Sequence, residues 1–494
     1  MTNRNSDKQN LSEIHVVSLP GKPVVAFHPQ SFTLFRVSPQ AGDILQGYAT
    51  GHSLEDISTL HNVSPDEISR LVSSVLQIVK ATTTHEASPT PETKQRRLGR
   101  LVLNISNVCN LRCKYCYAEG GTYGRKPGLM SGDIVRLALD RTVDFFGAVD
   151  QVLFFGGEPC LNIQAIQAAC EYWNILHQTK RIPFLPVLGM VSNGTIINRD
   201  LIHLINEYSI HVTISLDGPP EVNDLLRVFT NGQGTFHKVA HNILLLQEAT
   251  EGAQPRKIEV TYTREHVRQN ISAADLWKYF NQEFGINDIY IVPVTLPLGT
   301  SLCDELGLYN RPFPFKAIDD IFPTITDSWS SDHPQQFGLI YDYVVRLAKR
   351  TYSPSFCGVG TASLTIDVNG DIYPCYILME DELWMGNIQD PEVFSKSPCT
   401  TIAQRFLAHN KDSCQPCQRC WARAFCQLCF GAVRNITGNI WEIPSYLCEG
   451  IRKAAERALV EIAEIQSNPI RWRRFVDNAL KYQPLECQDG STRP

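Results

Sequence analysis

Cys109-Asn110-Leu111-Arg112-Cys113-Lys114-Tyr115-Cys116 is the stretch whose reading decides the fold. Its cysteines are separated by three and then two intervening residues. Leu101-Val102-Leu103-Asn104-Ile105 before it reads as a strand, and Gly120, Gly121 and Gly124 follow it, so the triplet is a strand-to-loop exit. A tight loop with this spacing can turn three thiolates onto one small cuboidal ion, and iron–sulfur clusters take Cys thiolates as their usual ligands. A four-iron cluster needs four ligands, so three cysteines leave one iron open, as a catalytic metal site requires. Two plainer readings compete: a helical stripe of buried cysteines, and a zinc site completed by a distant His.

With Tyr117 directly after the last Cys, the triplet resembles the signature of the radical SAM superfamily. The resemblance implies that Cys109, Cys113 and Cys116 hold a [4Fe-4S] cluster whose open iron chelates the amino and carboxylate groups of S-adenosylmethionine.

The totals bound the rest. A length of 494 residues suggests about three domains. A net charge of −6 gives no reason to expect nucleic acid or an anionic membrane surface as partner. No apolar run has the length of a membrane span, and residues 1–10 do not read as a signal peptide. Sixteen cysteines in such a chain read as metal sites rather than disulfides, and the expected location is the cytoplasm.

Taken in order, residues 1–81 read as a separate unit. Strand-like runs at 14–17, 24–27 and 32–35 are followed by helical patterns at 41–48, 54–60 and 64–79. In the third helix, Ser64 and Glu67 form a capping-box pair ahead of an apolar face of Ile68, Leu71, Val72, Val75 and Leu76. The order resembles the winged-helix-like peptide-recognition domain found beside many peptide-modifying enzymes, which implies binding of a leader peptide at a sheet edge. The competing reading is a DNA-binding winged helix, but the unit is not notably basic. Residues 82–100, rich in Thr, Pro, Glu and Lys, read as a linker.

From residue 101 strands and helices alternate. Strand candidates at 101–106, 151–155, 187–192, 211–216, 258–263 and 288–294 predict an α/β fold with a parallel sheet, an open partial (β/α)6 barrel over 101–300. The chemistry-bearing residues fall at strand ends: Gly156-Gly157-Glu158-Pro159, Ser192-Asn193, Ser215 with Asp217, and Arg227 beyond them. The resemblance assigns Glu158 and its loop to the amino group of S-adenosylmethionine, and Ser192, Asn193 and Ser215 to its ribose and carboxylate. Arg227 is a further candidate for the carboxylate. Residues 301–350 carry no assigned chemistry beyond a helical pattern at 339–350.

A second cysteine field occupies 351–450. Cys417, Cys420, Cys426 and Cys429 are too dense for core packing and as bare spacing suit zinc ribbons or iron–sulfur clusters. With Cys357 and Gly370-x4-Cys375 ahead and Cys448 behind, the layout resembles the SPASM extension, which implies two auxiliary [4Fe-4S] clusters. Carried over, one takes Cys417, Cys420, Cys426 and Cys448, and the other Cys357, Cys375 and Cys429. Two features depart from the pattern: only Gln427 and Leu428 stand between Cys426 and Cys429, and no Cys lies between Cys357 and Cys375. The second group therefore has an open iron or is closed by Cys414. Cys160, Cys170, Cys303, Cys399 and Cys487 read as isolated residues, and residues 451–494 as a charged helix and tail on the outside.

The expected activity is that of a peptide maturase: cleavage of S-adenosylmethionine to a 5′-deoxyadenosyl radical, hydrogen abstraction from a ribosomally made precursor peptide, and a thioether or carbon–carbon crosslink. An external electron donor such as flavodoxin or ferredoxin is implied. Sulfatase-maturating and epimerase activities are rivals within the resembled family. The sulfatase enzymes commonly carry an Asp base directly after the Gly-x4-Cys cysteine, where this chain has Tyr376. From other classes, a zinc-rich scaffold or a DNA-binding regulator remains as an alternative.

Overall fold

The computed structural model describes residues 13–83, 97–308 and 341–481. Most of the expected linker and of the 301–350 stretch, with Cys487, lies outside them.

The first body is an antiparallel sheet of β1 (His15–Val17), β2 (Val24–His28) and β3 (Thr33–Val37), with β2 in the middle. Helices Pro39–Ala49, Leu54–His61 and Pro65–Thr83 cover it. Each start is written locally. The Ser38 hydroxyl accepts from Ala41 N–H with Pro at the first turn, which begins that helix two residues before the apolar pattern does. Ser64 and Glu67 exchange hydrogen bonds at 2.7–3.3 Å as a capping box. Ala26, Ile44, Leu45, Ile57, Ile68 and Val72 make a core of the body's own.

The second body carries six parallel strands in spatial order: β4 (Leu98–Ser106), β5 (Val149–Gly156), β6 (Val187–Ser192), β7 (His211–Ser215), β8 (Lys257–Tyr262) and β9 (Ile289–Pro293). Crossover helices such as Gly132–Phe146, Ile163–Gln178 and Phe236–Ala249 bury the outer face. Val212 and Ile214 on β7, and Ile258 and Val260 on β8, point into that layer, while Ser215, Glu259 and Thr261 alternate to the inner face. Two further strands extend the sheet beside β4: β10 (Ser363–Ile366), parallel, and β11 (Ile372–Tyr373), antiparallel. Four and two residues long, they carry too little pattern to be read from sequence. Through them the cysteine-rich region is continuous with the barrel sheet.

The helix Ser445–Gln466 corrects the expectation of an outer element. It buries Ala455, Ala458, Leu459, Val460 and Ile462, and its Val460 and Ala463 pack on Val17 and Val25 of the first body. Lys22 reaches Glu461 at 3.0 Å and Glu464 at 2.8 Å. The charged residues that suggested an outer helix are one face of an element whose other face is buried.

Candidate active site

The chain leaves β4 into the cysteine loop, which is laced on two sides. Gly157 N–H donates to Ser106 C=O at 2.7 Å and Glu158 N–H to Val108 C=O at 2.9 Å, binding the loop to the end of β5. Glycine is required there by close approach. A Cβ on Gly157 would lie 2.4 Å from the Val108 oxygen, and one on Gly121 would lie 2.7 Å from Gly157 Cα. On the other side Arg112 and Lys114 N–H donate to Val228 and Leu226 C=O at 2.8 and 2.9 Å. The thiols of Cys109, Cys113 and Cys116 are each half-buried. Burial raises Cys109 and pushes Cys113 up to about 11, with the neighbouring sulfurs adding to the shift. Cys109 and Cys113 thus favour the protonated thiol until a cation replaces the proton.

The strand-end residues are brought to this loop, and most are engaged by the protein itself. The buried Glu158 carboxylate accepts from Asn193 N–H at 2.7 Å, the Ser192 hydroxyl at 2.8 Å and Cys160 N–H at 3.0 Å. Burial raises its pKa against those donors. The Asn193 side chain donates to Asn110 Oδ1 at 2.9 Å and accepts from Thr195, tying the end of β6 to the cysteine loop. Asp217 accepts from Thr261 N–H at 3.0 Å and from the Tyr115 hydroxyl at 2.5 Å, and Arg227 donates to that hydroxyl at 2.8 Å. Pro159 opens the buried turn Pro159–Leu161. Ser215 on the inner face of β7 is half-buried, and Tyr117, 41% exposed, sets its ring edge-on to Tyr123. Asn110, Tyr115, Thr195 and His266, whose Nε2–H donates to Asp217 C=O at 2.7 Å, were not singled out from sequence. Asn110 and Tyr115 lie inside the cysteine motif and could have been. His266 carries no local signal.

The second cysteine field separates into two groups. Cys417, Cys420, Cys426 and Cys448 line one cavity of about 190 Å3, whose wall also contains Lys411, Arg423 and Arg452. Cys357, Cys375 and Cys429 form the other. Burial pushes Cys375 up to about 12, and the charges of Cys429 and Cys357 add to it. Cys414 belongs with the first group, near Cys417, and outside its cavity. Its sulfur is 3.4 Å from His409 Nε2. Among the described residues, the Cys357 group therefore contains three thiols.

These placements test the fit of iron–sulfur clusters. Among the described residues no three His, Cys, Asp or Glu side chains converge tightly enough for a single metal ion, whereas zinc draws thiolates to about 2.3 Å of one point. A cubane spreads its ligands over its corners and needs a chamber between them, as the cavity of the first group offers. The four thiols spread around that cavity fit the corners of a cubane.

Two family models match the chain: the radical SAM superfamily over residues 103–259 and the SPASM iron–sulfur cluster-binding domain over 357–421. The cysteine-type anaerobic sulfatase-maturating enzyme of Clostridium perfringens is 24% identical over 390 residues, covering 75% of this chain and 99% of that one. The radical SAM cyclopropyl synthase TigE of Paramaledivibacter caminithermalis is 21% identical over 410 residues, covering 75% and 77%. The solved structure of native anSMEcpe with bound AdoMet superposes with a TM-score of 0.59 at 22% identity, over 74% of this chain and 99% of that one, a likeness of fold. Residues 103–259 are therefore a radical SAM domain and residues 357–421 a SPASM domain, and the chain is an enzyme with iron–sulfur clusters and S-adenosylmethionine as cofactors.

Proposed function

We propose that this enzyme is a peptide maturase that crosslinks a ribosomally made precursor. Cys109, Cys113 and Cys116 would hold the cluster at which S-adenosylmethionine, when bound, supplies a 5′-deoxyadenosyl radical. The chain's own residues hold and orient. Glu158, Ser192 and Asn193 fix the ends of β5 and β6 against the cysteine loop. Asp217, Tyr115 and Arg227 fix it from the side of β7. Ser215, Tyr117 and the Gly156–Gly157 backbone are the groups left to meet S-adenosylmethionine. The inner faces of β7 and β8 would seat the peptide and exclude water from the radical.

The observation that carries this reading is the three-thiol group Cys357, Cys375 and Cys429, with Cys414 turned to His409. A cluster on three thiols would offer an iron to a substrate thiolate, which favours a thioether over a carbon–carbon bond. The first body supports a leader-peptide role, because among the described residues β3 pairs with β2 alone and its other edge suits an added strand. A flavodoxin or ferredoxin would supply the electron.

Sulfatase maturation is the second reading, favoured by the Clostridium relative. Tyr376, directly after Cys375, speaks against it. Co-expression with a short peptide encoded beside the enzyme, followed by mass spectrometry, separates the outcomes. Loss of two hydrogens from a peptide that then resists thiol alkylation is expected. Unchanged peptide together with aldehyde formation in a co-expressed sulfatase would move the assignment to the second reading.

A further inference from the structure

The cavity of Cys417, Cys420, Cys426 and Cys448 is lined by a cation, Lys411, that makes no ion pair among the described residues. Lys411 is fully enclosed, at 0% exposure, and its Nζ donates to Cys426 C=O at 3.2 Å. It lies 5.4 Å from the centre of the Tyr352 ring. Among the described residues no carboxylate stands within ion-pair distance of it. The nearby Asp412 is engaged by Tyr352 at 2.6 Å and faces Arg423 at 3.9 Å. Arg423 and Arg452 complete a wall that, among charged groups, holds cations only.

Burying an ammonium without an anion is expensive, and a carbonyl and an aromatic face offset only part of that. Four neutral thiols supply no charge. Four thiolates around an iron–sulfur cube do, and each added electron makes the assembly one charge more negative.

We propose that Lys411 is the built-in counter-charge of the cluster held by Cys417, Cys420, Cys426 and Cys448, and that it sets that cluster's reduction potential higher than the four thiolates alone would. This rests on the reading of those cysteines as cluster ligands. The reason is electrostatic: a fixed cation beside the cube, shielded from water, favours the state with one more electron, and net charge is among the terms that set cluster potentials. Lys411 is a positioning residue for charge, not a ligand.

The test is a redox titration of the full chain, reconstituted anaerobically with iron and sulfide, using dithionite and following each cluster by electron paramagnetic resonance. Lys411→Gln should lower the midpoint of one auxiliary signal and leave the others in place, whereas Lys411→Arg should stay near the wild type. An unmoved midpoint in Lys411→Gln with full iron, or a drop of equal size in Lys411→Arg, overturns the proposal. Should both variants lose iron, the metal-free proteins decide. Lys411→Met must then raise the urea midpoint by removing an unpaired charge, and an equal or lower midpoint overturns the proposal. Failure of the underlying reading shows separately, as a Cys448→Ala variant that binds as much iron as the wild type.

Discussion

Tyr115 stands between two cysteines of the loop, and its hydroxyl joins Asp217 on one side to Arg227 on the other. Both partners are buried, so Tyr115→Phe leaves each short of a hydrogen bond. A destabilisation of about 2 kcal/mol is expected, read as a lower urea midpoint. The thiols give sharper tests. Cys113→Ala should abolish S-adenosylmethionine cleavage while the auxiliary iron stays bound, checked by iron content and by release of 5′-deoxyadenosine. Cys448→Ser should lose one cluster's iron, and Cys414→Ser should lose none, because its sulfur faces His409 outside the four-thiol cavity. The positions of Cys109, Cys113, Asp217 and Arg227 were legible because each sits in a local pattern. That one tyrosine joins the last two was not: residues 115, 217 and 227 meet only when β4 and β7 are set in one sheet.

Among the elements, β7 shows what a strand pattern does and does not reveal. The alternation of Val212 and Ile214 marks it as half-buried, but says nothing of His211 at its start. There burial lowers the imidazole from 6.5 to about 4, and Nδ1 has no hydrogen-bond partner among the described residues. The folded state thus keeps His211 neutral where the unfolded chain would protonate it. Its contribution to stability is intact above pH 6.5 and is lost as pH falls towards about 4. Urea midpoints measured from pH 7 down to 4.5 should fall across that window, and His211→Gln should flatten the slope. Strands β10 and β11 make the complementary point. Pairing of β10 with β4, and of β11 with β10, creates them, and a pattern of four or two residues cannot announce itself.

At the scale of the molecule, the first body is seated on the cysteine-rich region. The His15 ring stacks on Trp421 at 3.8 Å, and Phe27 meets Phe425 at 5.2 Å. Trp421 directly follows Cys420 and Phe425 directly precedes Cys426, so this seat lies against the loop of the four-thiol cavity. Phe27 is fully buried there. Phe27→Ala should cost about 3–5 kcal/mol locally, and limited proteolysis should release the first body faster than from the wild type. Equal release rates would mean that the ion pairs of Lys22 with Glu461 and Glu464 hold the seat instead. No helix among the described residues is long and apolar enough to cross a membrane.

Local chemistry by itself determined the kinds of site and the order of elements. Thiolate spacing, strand–helix alternation and glycine at the strand ends are written within short windows of chain, where neighbouring residues already constrain one another. Tertiary structure decided who partners whom. It committed Glu158 to Ser192 and Asn193, parted Cys414 from the three-thiol group, seated the first body on the helix Ser445–Gln466 and enclosed Lys411 among four thiols. Each of these depends on a distance between residues far apart in sequence, and the packing of one sheet and its layers sets such distances.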